Sequence, residues 1–553
     1  MPILWVVLAL AFSLLPAHAA DRSHARSMVV SRDGIVATSH TLASQAGAEI
    51  LARGGSAVDA AIAANAVLGL VEPMMCGIGG DVFVLYWDAK TQKLYGLNGS
   101  GWSPQGLTQE FLAGQDIKDK MPQHGIHSTT VPGAVRGWEA AHKRFGKLPW
   151  KDLFGATIHH AEQGFPVTEI IAGAWNSRVP RLEPGSEKLF FPGGKAPTEG
   201  EIFRNPDLGR AMRLIAEQGA GVFYEGEIAQ AILKTSHDRG GTFAAADLAE
   251  WQPEWVEPLS TTYRGWTVSE LPPNGQGIAA LVMLNLMEQT KASPAGPFST
   301  PEVHKKIEAM KLAYADLYAY VADPKFQDVP VAGMLSKQYA AERAKGIDPK
   351  KANCEVKAGA PEWKDTTYLA VVDGEGNIAS WIESVSGSWG SGVLVDGMGF
   401  HLHNRGGGFT LDDKHPSRLE PRKRPFHTII PGFMTKGDQH IGFGIMSGPN
   451  QPQAHAQFAA NIADYGMNLQ EALEAPRFRV TSVPGCKVSI ESRYDKDVLV
   501  RLNAMGHELN LRGDHSTVMG RGNAVMHNSK TKVNSGASDS RADGFAIPEP
   551  LRP

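Results

Sequence analysis

Residues 365–385 read Asp365-Thr366-Thr367-Tyr368-Leu369-Ala370-Val371-Val372-Asp373-Gly374-Glu375-Gly376-Asn377-Ile378-Ala379-Ser380-Trp381-Ile382-Glu383-Ser384-Val385. Two apolar runs rich in strand-favouring residues, Thr366 to Asp373 and Ile378 to Val385, flank the turn Gly374–Asn377, which is the pattern of a β-hairpin. Upstream, residues 327–365 are polar, carry Lys337, Lys345, Lys350, Lys351, Lys357 and Lys364, and read as an exposed linker. A linker therefore runs straight into a strand that begins with threonines. If the backbone were cut before Thr366, one residue would hold both a hydroxyl and a free α-amine. An α-amine titrates at about pH 8, so that residue would supply nucleophile and base together. Threonine also simply favours strands, and the local sequence leaves both readings open.

The chain around this hairpin has 553 residues, with 54 Lys+Arg against 58 Asp+Glu. That near-neutral balance argues against a protein built to neutralise nucleic-acid phosphates. Apolar residues at 42 % supply a sizeable core. Sixty glycines follow no G-X-Y period, so they mark turns and close backbone approaches rather than collagen. An apolar run from Ile3 to Leu15, then Pro16 and Ala17-His18-Ala19, fits an export signal cut after Ala19, although no Lys or Arg precedes it. The run is too short to span a bilayer, and no later stretch is long and apolar enough. The expected location is periplasmic or secreted. Cys76, Cys354 and Cys486 lack zinc or CxxC spacing; one disulfide is possible in an oxidising compartment.

Outward from the hairpin, residues 41–70 repeat apolar positions at helical spacing on either side of Gly54-Gly55, with Ser56 as an N-cap. Val82–Tyr86 reads as a buried strand and pairs with Lys93–Asn98. From 134 to 330 the helical pattern dominates, clearest over Val303–Tyr320. Strand-like runs follow at 391–404, 426–434, 440–446 and 487–491. Helices and strands fall in blocks, which favours a layered α+β fold over a doubly wound parallel sheet.

Other motifs carry less. His401 and His403 form an HxH pair on an expected strand, but no further ligand at a convincing spacing supports a metal site. Gly77-Ile78-Gly79-Gly80 and Gly406-Gly407-Gly408 complete no phosphate-binding pattern. The basic run Arg418–His427 reads as a solvated turn or, preferably, as a carboxylate-binding loop. There is no G-x-S-x-G elbow and no H-E-x-x-H.

Several stretches, taken in order, resemble the gamma-glutamyltranspeptidase family. They are Gly34–His40, Ala43–Gly47, Gly54–Ala63, Val71-Glu72-Pro73 with Gly77–Gly80, Val131-Pro132-Gly133, Leu271-Pro272-Pro273, Asp323-Pro324 and Ala475–Phe478. The resemblance implies a four-layer αββα sandwich, the N-terminal-nucleophile hydrolase fold. It also implies a precursor that cleaves itself into a large subunit, 20–365, and a small subunit, 366–553, that begins at the nucleophile Thr366. Ser384 takes the place of the hydroxyl that supports the new N-terminus, and Ser447 and Gly448 that of the oxyanion-binding backbone amides.

The head-group pocket transfers less well. Ser386 stands where the family has an asparagine for the substrate's amino group. Arg405 and Gly408 replace a glutamine and an aspartate, Ser100 replaces a carboxylate-clamping arginine, and Lys423-Arg424 fall near a carboxylate-binding serine pair. The resemblance implies an amidohydrolase acting through a threonyl acyl-enzyme, with a small-molecule amide substrate, water or an amine as acceptor, and no metal or organic cofactor. Gamma-glutamyl amides such as glutathione are the first expected substrates. The alternative is a carboxylate-bearing acyl amide without the α-amino group, glutaryl- or oxamate-like. A non-catalytic periplasmic binding protein is the alternative from another class.

Overall fold

The computed structural model describes residue 22 and residues 24–176, 182–356 and 366–551. The expected signal segment, Lys357, Lys364 and Asp365 lie outside these residues. The hairpin forms as read: Thr367–Val372 pairs antiparallel with Ile378–Ser384, Thr367 opposite Glu383 and Val372 opposite Ile378. Every residue of both strands is buried, so the hairpin lies inside the fold, with neighbours on both edges. Ile35–Ala37 pairs with the first strand and Asp81–Asp88 with the second. Ala546–Pro548, Lys93–Gly99 and Glu254–Val256 complete a seven-stranded sheet.

A second seven-stranded sheet runs, in spatial order, Val29–Ser31, Val533–Ser538, Gly522–Asn528, Gln439–Ile445, Gly432–Lys436, Trp266–Glu270 and Leu259–Tyr263. Side chains alternate along a strand. Tyr368, Ala370, Val372, Ile378 and Ile382 therefore face the second sheet, where they meet Phe433 and Val525. Leu369, Val371, Ala379 and Trp381 face the other way, onto the helices Thr41–Ala52 and Ala57–Val71. The second helix opens with a capping box between Ser56 and Asp59. Helices Gly277–Glu288, Thr300–Tyr320 and Gln451–Tyr465 cover the outer face of the second sheet. Helix, sheet, sheet, helix is the αββα sandwich.

Three expectations need correction. Residues 327–356 are no plain linker: they form helices Val331–Met334 and Lys337–Ala344 and bury Met334, Ala340 and Val356 against the second helical layer. Residues 391–404 form a loop with a single bridge, Leu394 to His401, because Gly392, Gly397 and Gly399 take positive φ and break any ladder. The mostly helical block 134–330 contains the half-exposed edge strand Leu259–Tyr263 and its mostly buried neighbour Trp266–Glu270, five residues each and too short to register against the helical background. Cys354 and Cys486 form a disulfide, and Cys76 is free and buried. Among the described residues no helix is long and apolar enough to cross a membrane.

One buried amide ties the first helical layer to the hairpin. Asn65 Oδ1 accepts from the indole N–H groups of Trp138 (3.0 Å) and Trp381 (2.8 Å), while its Nδ2 donates to Glu383. Burying a polar group without its partner costs roughly 1–3 kcal/mol. Asn65→Ala strands two indoles and a carboxylate oxygen, so it should lower stability by about 2–5 kcal/mol in urea unfolding. A loss below ~1 kcal/mol would show that the hub is not what holds these layers together.

Candidate active site

Carrying the hairpin register one residue past Thr367–Glu383 sets Thr366 opposite Ser384, and Ser384 is paired with Asp81 on the next strand. Alternation aims Thr366 toward the second sheet, on the same face as Tyr368. Its Oγ1 donates to Ser384 Oγ at 3.3 Å and accepts from Gln451 Nε2 at 3.4 Å. Ser384 Oγ in turn accepts from the Ser386 amide at 2.8 Å. Thr367 points the other way and donates to Glu72 at 2.6 Å. Of the two threonines, Thr366 alone faces the space between the sheets.

Gln451 begins the helix Gln451–Tyr465, directly after the turn at Ser447 and Gly448. Both turn residues take left-handed backbone, φ +114° and +48°. No hydrogen bond from either amide is present among the described residues. Two consecutive amides in such a turn form a concavity for negative charge. Thr366, Ser384, Ser447 and Gly448 are thus joined through Gln451, a residue the sequence reading missed.

Around this centre lie several buried charges. Asp81 accepts from the Gly133 and Gly101 amides at 3.0 and 3.3 Å, and His427 Nε2 lies 3.0 Å from its second oxygen. His403 Nε2 sits 3.8 Å from the first oxygen, the one that accepts from the two amides. Burial pushes the Asp81 carboxyl up to about 7, against the pull of Arg405 and the two amides. Burial likewise lifts Glu383 to about 8, although it accepts from the Gly77 amide and Asn65.

Arg405 is fully buried, and burial draws its guanidinium down to about 10. Its Nη1 donates to Thr428 Oγ1 at 2.6 Å, while Nε and Nη2 have no hydrogen-bond partner. The neighbouring Asn404 accepts from the Gly387 amide at 2.7 Å, which joins the two chain segments that carry Arg405 and Ser386; the Ser386 hydroxyl is buried and unpartnered.

The other expected pocket residues are otherwise occupied. Lys423 is not a free cation: its Nζ donates to Glu420 and the Pro416 carbonyl, both at 2.9 Å. Arg424 binds Glu254 at 2.6 Å and the Ser100 carbonyl at 3.0 Å, and the Ser100 hydroxyl accepts from Asn274 at 3.1 Å. The basic run is therefore not a solvated turn; Lys423 and Arg424 are buried and neutralised. Thr428 and His427, at its end, are the residues that reach the Arg405–Asp81 region. Gly408 offers backbone only, closing the short turn Arg405–Gly408.

His401 and His403 do not share a strand face. His401 pairs with Ser186 Oγ at 2.8 Å, and His403 lies by Asp81 and Thr130. Elsewhere His304, Glu308 and His507 gather ligand atoms within 4.8 Å. However, His304 and His507 hydrogen-bond each other at 2.8 Å, and the Lys311 ammonium sits 2.5 Å from Glu308, so that cluster already holds its cation.

Asp81 gives the site a pH signature. Its folded pKa is raised from 3.8 to about 7, so the native state binds the proton more tightly than the unfolded chain does. The resulting stabilisation is complete below about pH 4 and fades as pH climbs to about 7. The stability of the wild type relative to Asp81→Asn should therefore fall between pH ~4.5 and ~7.5 in chemical denaturation. A constant difference would mean that Asp81 does not titrate in this window.

Comparison with known proteins fits this geometry. A profile of the gamma-glutamyltranspeptidase family matches residues 43–549. The glutathione hydrolase-like YwrD proenzyme of Bacillus subtilis is 36 % identical over 94 % of this chain and 99 % of its own length. The oxamate amidohydrolase proenzyme of Klebsiella pneumoniae is 32 % identical over 94 % and 98 %. Among solved structures, a cephalosporin acylase from Bacillus halodurans superposes with a TM-score of 0.89 at 39 % identity, covering 97 % of this chain and 99 % of that one. A gamma-glutamyltranspeptidase chain from Helicobacter pylori gives 0.55 at 31 % identity over 58 % of this chain and 94 % of its own. With its αββα sandwich and a threonine at the head of the central strand, this chain belongs to the gamma-glutamyltranspeptidase family of N-terminal-nucleophile hydrolases.

Proposed function

We propose that the protein is a self-processing amidohydrolase for amides whose acyl group carries a carboxylate but no α-amino group. The observation that carries this is Arg405: fully buried, with its Nε and Nη2 nitrogens left unpartnered. A buried guanidinium with spare donors calls for an anion, and a carboxylate is the anion that fits its fork. Asp81 acts on this guanidinium electrostatically, yet Nε and Nη2 donate no hydrogen bond to it, which leaves part of the fork open. Ser386 offers an amino group only a hydroxyl. The relatives named oxamate amidohydrolase, acylase and cephalosporin acylase support the same direction.

In the proposed mechanism the Thr366 hydroxyl attacks the Asp365 carbonyl, and the peptide bond becomes an ester with its nitrogen released as the Thr366 α-amine. Water hydrolyses that ester and leaves 20–365 and 366–553 as separate polypeptides. The freed α-amine then takes the Thr366 hydroxyl proton as the oxygen attacks the substrate carbonyl, and hands it to the departing amine. The Ser447 and Gly448 amides hold the oxyanion, each such donor being worth about 3–4 kcal/mol. Ser384 fixes the nucleophile's direction. Water, or an amine acceptor, releases the acyl group and restores the hydroxyl. Export fits the Cys354–Cys486 disulfide, which persists in oxidising compartments.

That disulfide makes the processing easy to read, because its two halves lie on opposite sides of Thr366. Mature protein should run as one species without reductant and as two with it, the smaller beginning at Thr366; Thr366→Ala should stay single in both. Glutaryl p-nitroanilide should be turned over at least tenfold faster than the γ-glutamyl compound. Arg405→Leu should cut kcat/KM for the glutaryl substrate by about 10–100-fold, the loss of a charge-assisted pair. Faster release from the γ-glutamyl anilide, indifferent to Arg405→Leu, would favour the second reading, glutathione-type substrates. That reading rests on relatives named glutathione hydrolase, such as one from Bacillus subtilis that is 30 % identical over 544 residues.

A further inference from the structure

We infer that Gln276 is a positioning residue for the oxyanion turn and couples it to the acyl-carboxylate receptor; this rests on the acyl-enzyme reading above. Gln276 follows Leu271-Pro272-Pro273-Asn274-Gly275 and caps the helix Gly277–Glu288. Its backbone is pinned beside the end of the basic run: the Gln276 amide donates to the His427 carbonyl, and the His427 amide to the Asn274 carbonyl, both at 3.0 Å. From there its side chain, with no exposed surface, reaches two carbonyls that the chain order separates widely. Nε2 donates to Thr428 O at 2.5 Å and to Gly448 O at 2.8 Å.

Both hydrogens of one amide are thereby used. The side-chain oxygen has no partner, and flipping the amide would set that oxygen against two carbonyl oxygens, so the orientation is fixed by its acceptors. Gly448 has positive φ and no Cβ, and on its own it would rotate freely about ψ. Three donors close to it remove that freedom: Gln276 and the Gln451 amide on its carbonyl, and the Tyr314 hydroxyl on the carbonyl of Pro449. Of these, only Gln276 also holds Thr428, whose hydroxyl receives Arg405. A single side chain thus spans the group that binds the acyl tail and the turn that meets the acyl carbonyl. The distance between those two points is what an acyl substrate of given length must match.

The test uses the full-length mature enzyme with glutaryl p-nitroanilide. Gln276→Met keeps the length and removes both donors. A displaced oxyanion turn costs about 10–100-fold in kcat, with KM changing less than about threefold and the thermal midpoint little altered. Gln276→Glu separates positioning from packing. Ionised, it repels both carbonyls; protonated, its single O–H can donate to one of them. Its kcat relative to wild type at the same pH should rise as pH falls. Wild-type kcat in Gln276→Met, or a Gln276→Glu ratio flat with pH, overturns the inference; if Gln276→Met fails to fold, the Gln276→Glu ratio alone decides. Turnover by Thr366→Ala would instead remove the parent reading, which an inactive Thr366→Ala beside a wild-type-like Gln276→Met leaves standing.

Discussion

The register of one buried hairpin sets where Thr366 lies and which way it faces. Because Thr367 pairs with Glu383, Thr366 must fall opposite Ser384 and face the second sheet. A slip of one residue would turn Thr366 toward the helical layer and send Thr367 inward. Burial on both faces guards against such a slip, since it would drive Tyr368 and Trp381 into the wrong layers. The contacts of Glu383 with Asn65 and Gly77 lock the same register from the helical side. A carboxylate pushed up to about 8 by burial is a costly way to fix a strand, and it stands opposite Thr367, the residue next to Thr366.

The second sheet supplies the other half of the geometry. Its strand Gln439–Ile445 ends in the left-handed turn at Ser447 and Gly448, and the helix that follows returns Gln451 to Thr366. The family's processing and acyl-transfer chemistry both need a nucleophile held against a polarised carbonyl. In the mechanism proposed above, the αββα sandwich meets that need with the Thr366 hydroxyl from one sheet and the Ser447 and Gly448 amides from the other. The proposed acyl-binding region is where this chain's residues differ from the glutamyl-binding pattern that the family resemblance implies. It holds a buried guanidinium with spare donors, and its other basic residues are spent on Glu254 and Glu420.

What could be read in advance, and what could not, follows from the range of the interactions involved. The hairpin, the capped helix pair and the strand at Val82 were legible because period-two and period-3.6 patterns are local, as was the hydroxyl pair Thr366 and Ser384 through the family resemblance. The run 391–404 has strand-like composition but folds as a loop, since glycine backbone angles do not show in hydropathy. Lys423 and Arg424 looked like free cations because the partner of Arg424, Glu254, lies 170 residues away. Gln276, Gln451 and Asp81 carry no motif of their own. Their importance comes from carbonyls and hydroxyls that only the folded chain brings near.

The strand order of the first sheet has a further consequence. Its central hairpin comes from after Thr366, yet both strands that flank it come from before, and one edge strand, Ala546–Pro548, comes from after it again. Neither stretch of polypeptide owns a complete sheet, so neither has an independent core to retreat into. Were the backbone cut before Thr366, as proposed above, the two pieces would stay interleaved like the fingers of clasped hands, and parting them would mean dismantling both. Exchange of such pieces between molecules would then require unfolding both sheets, whatever the strength of any single contact.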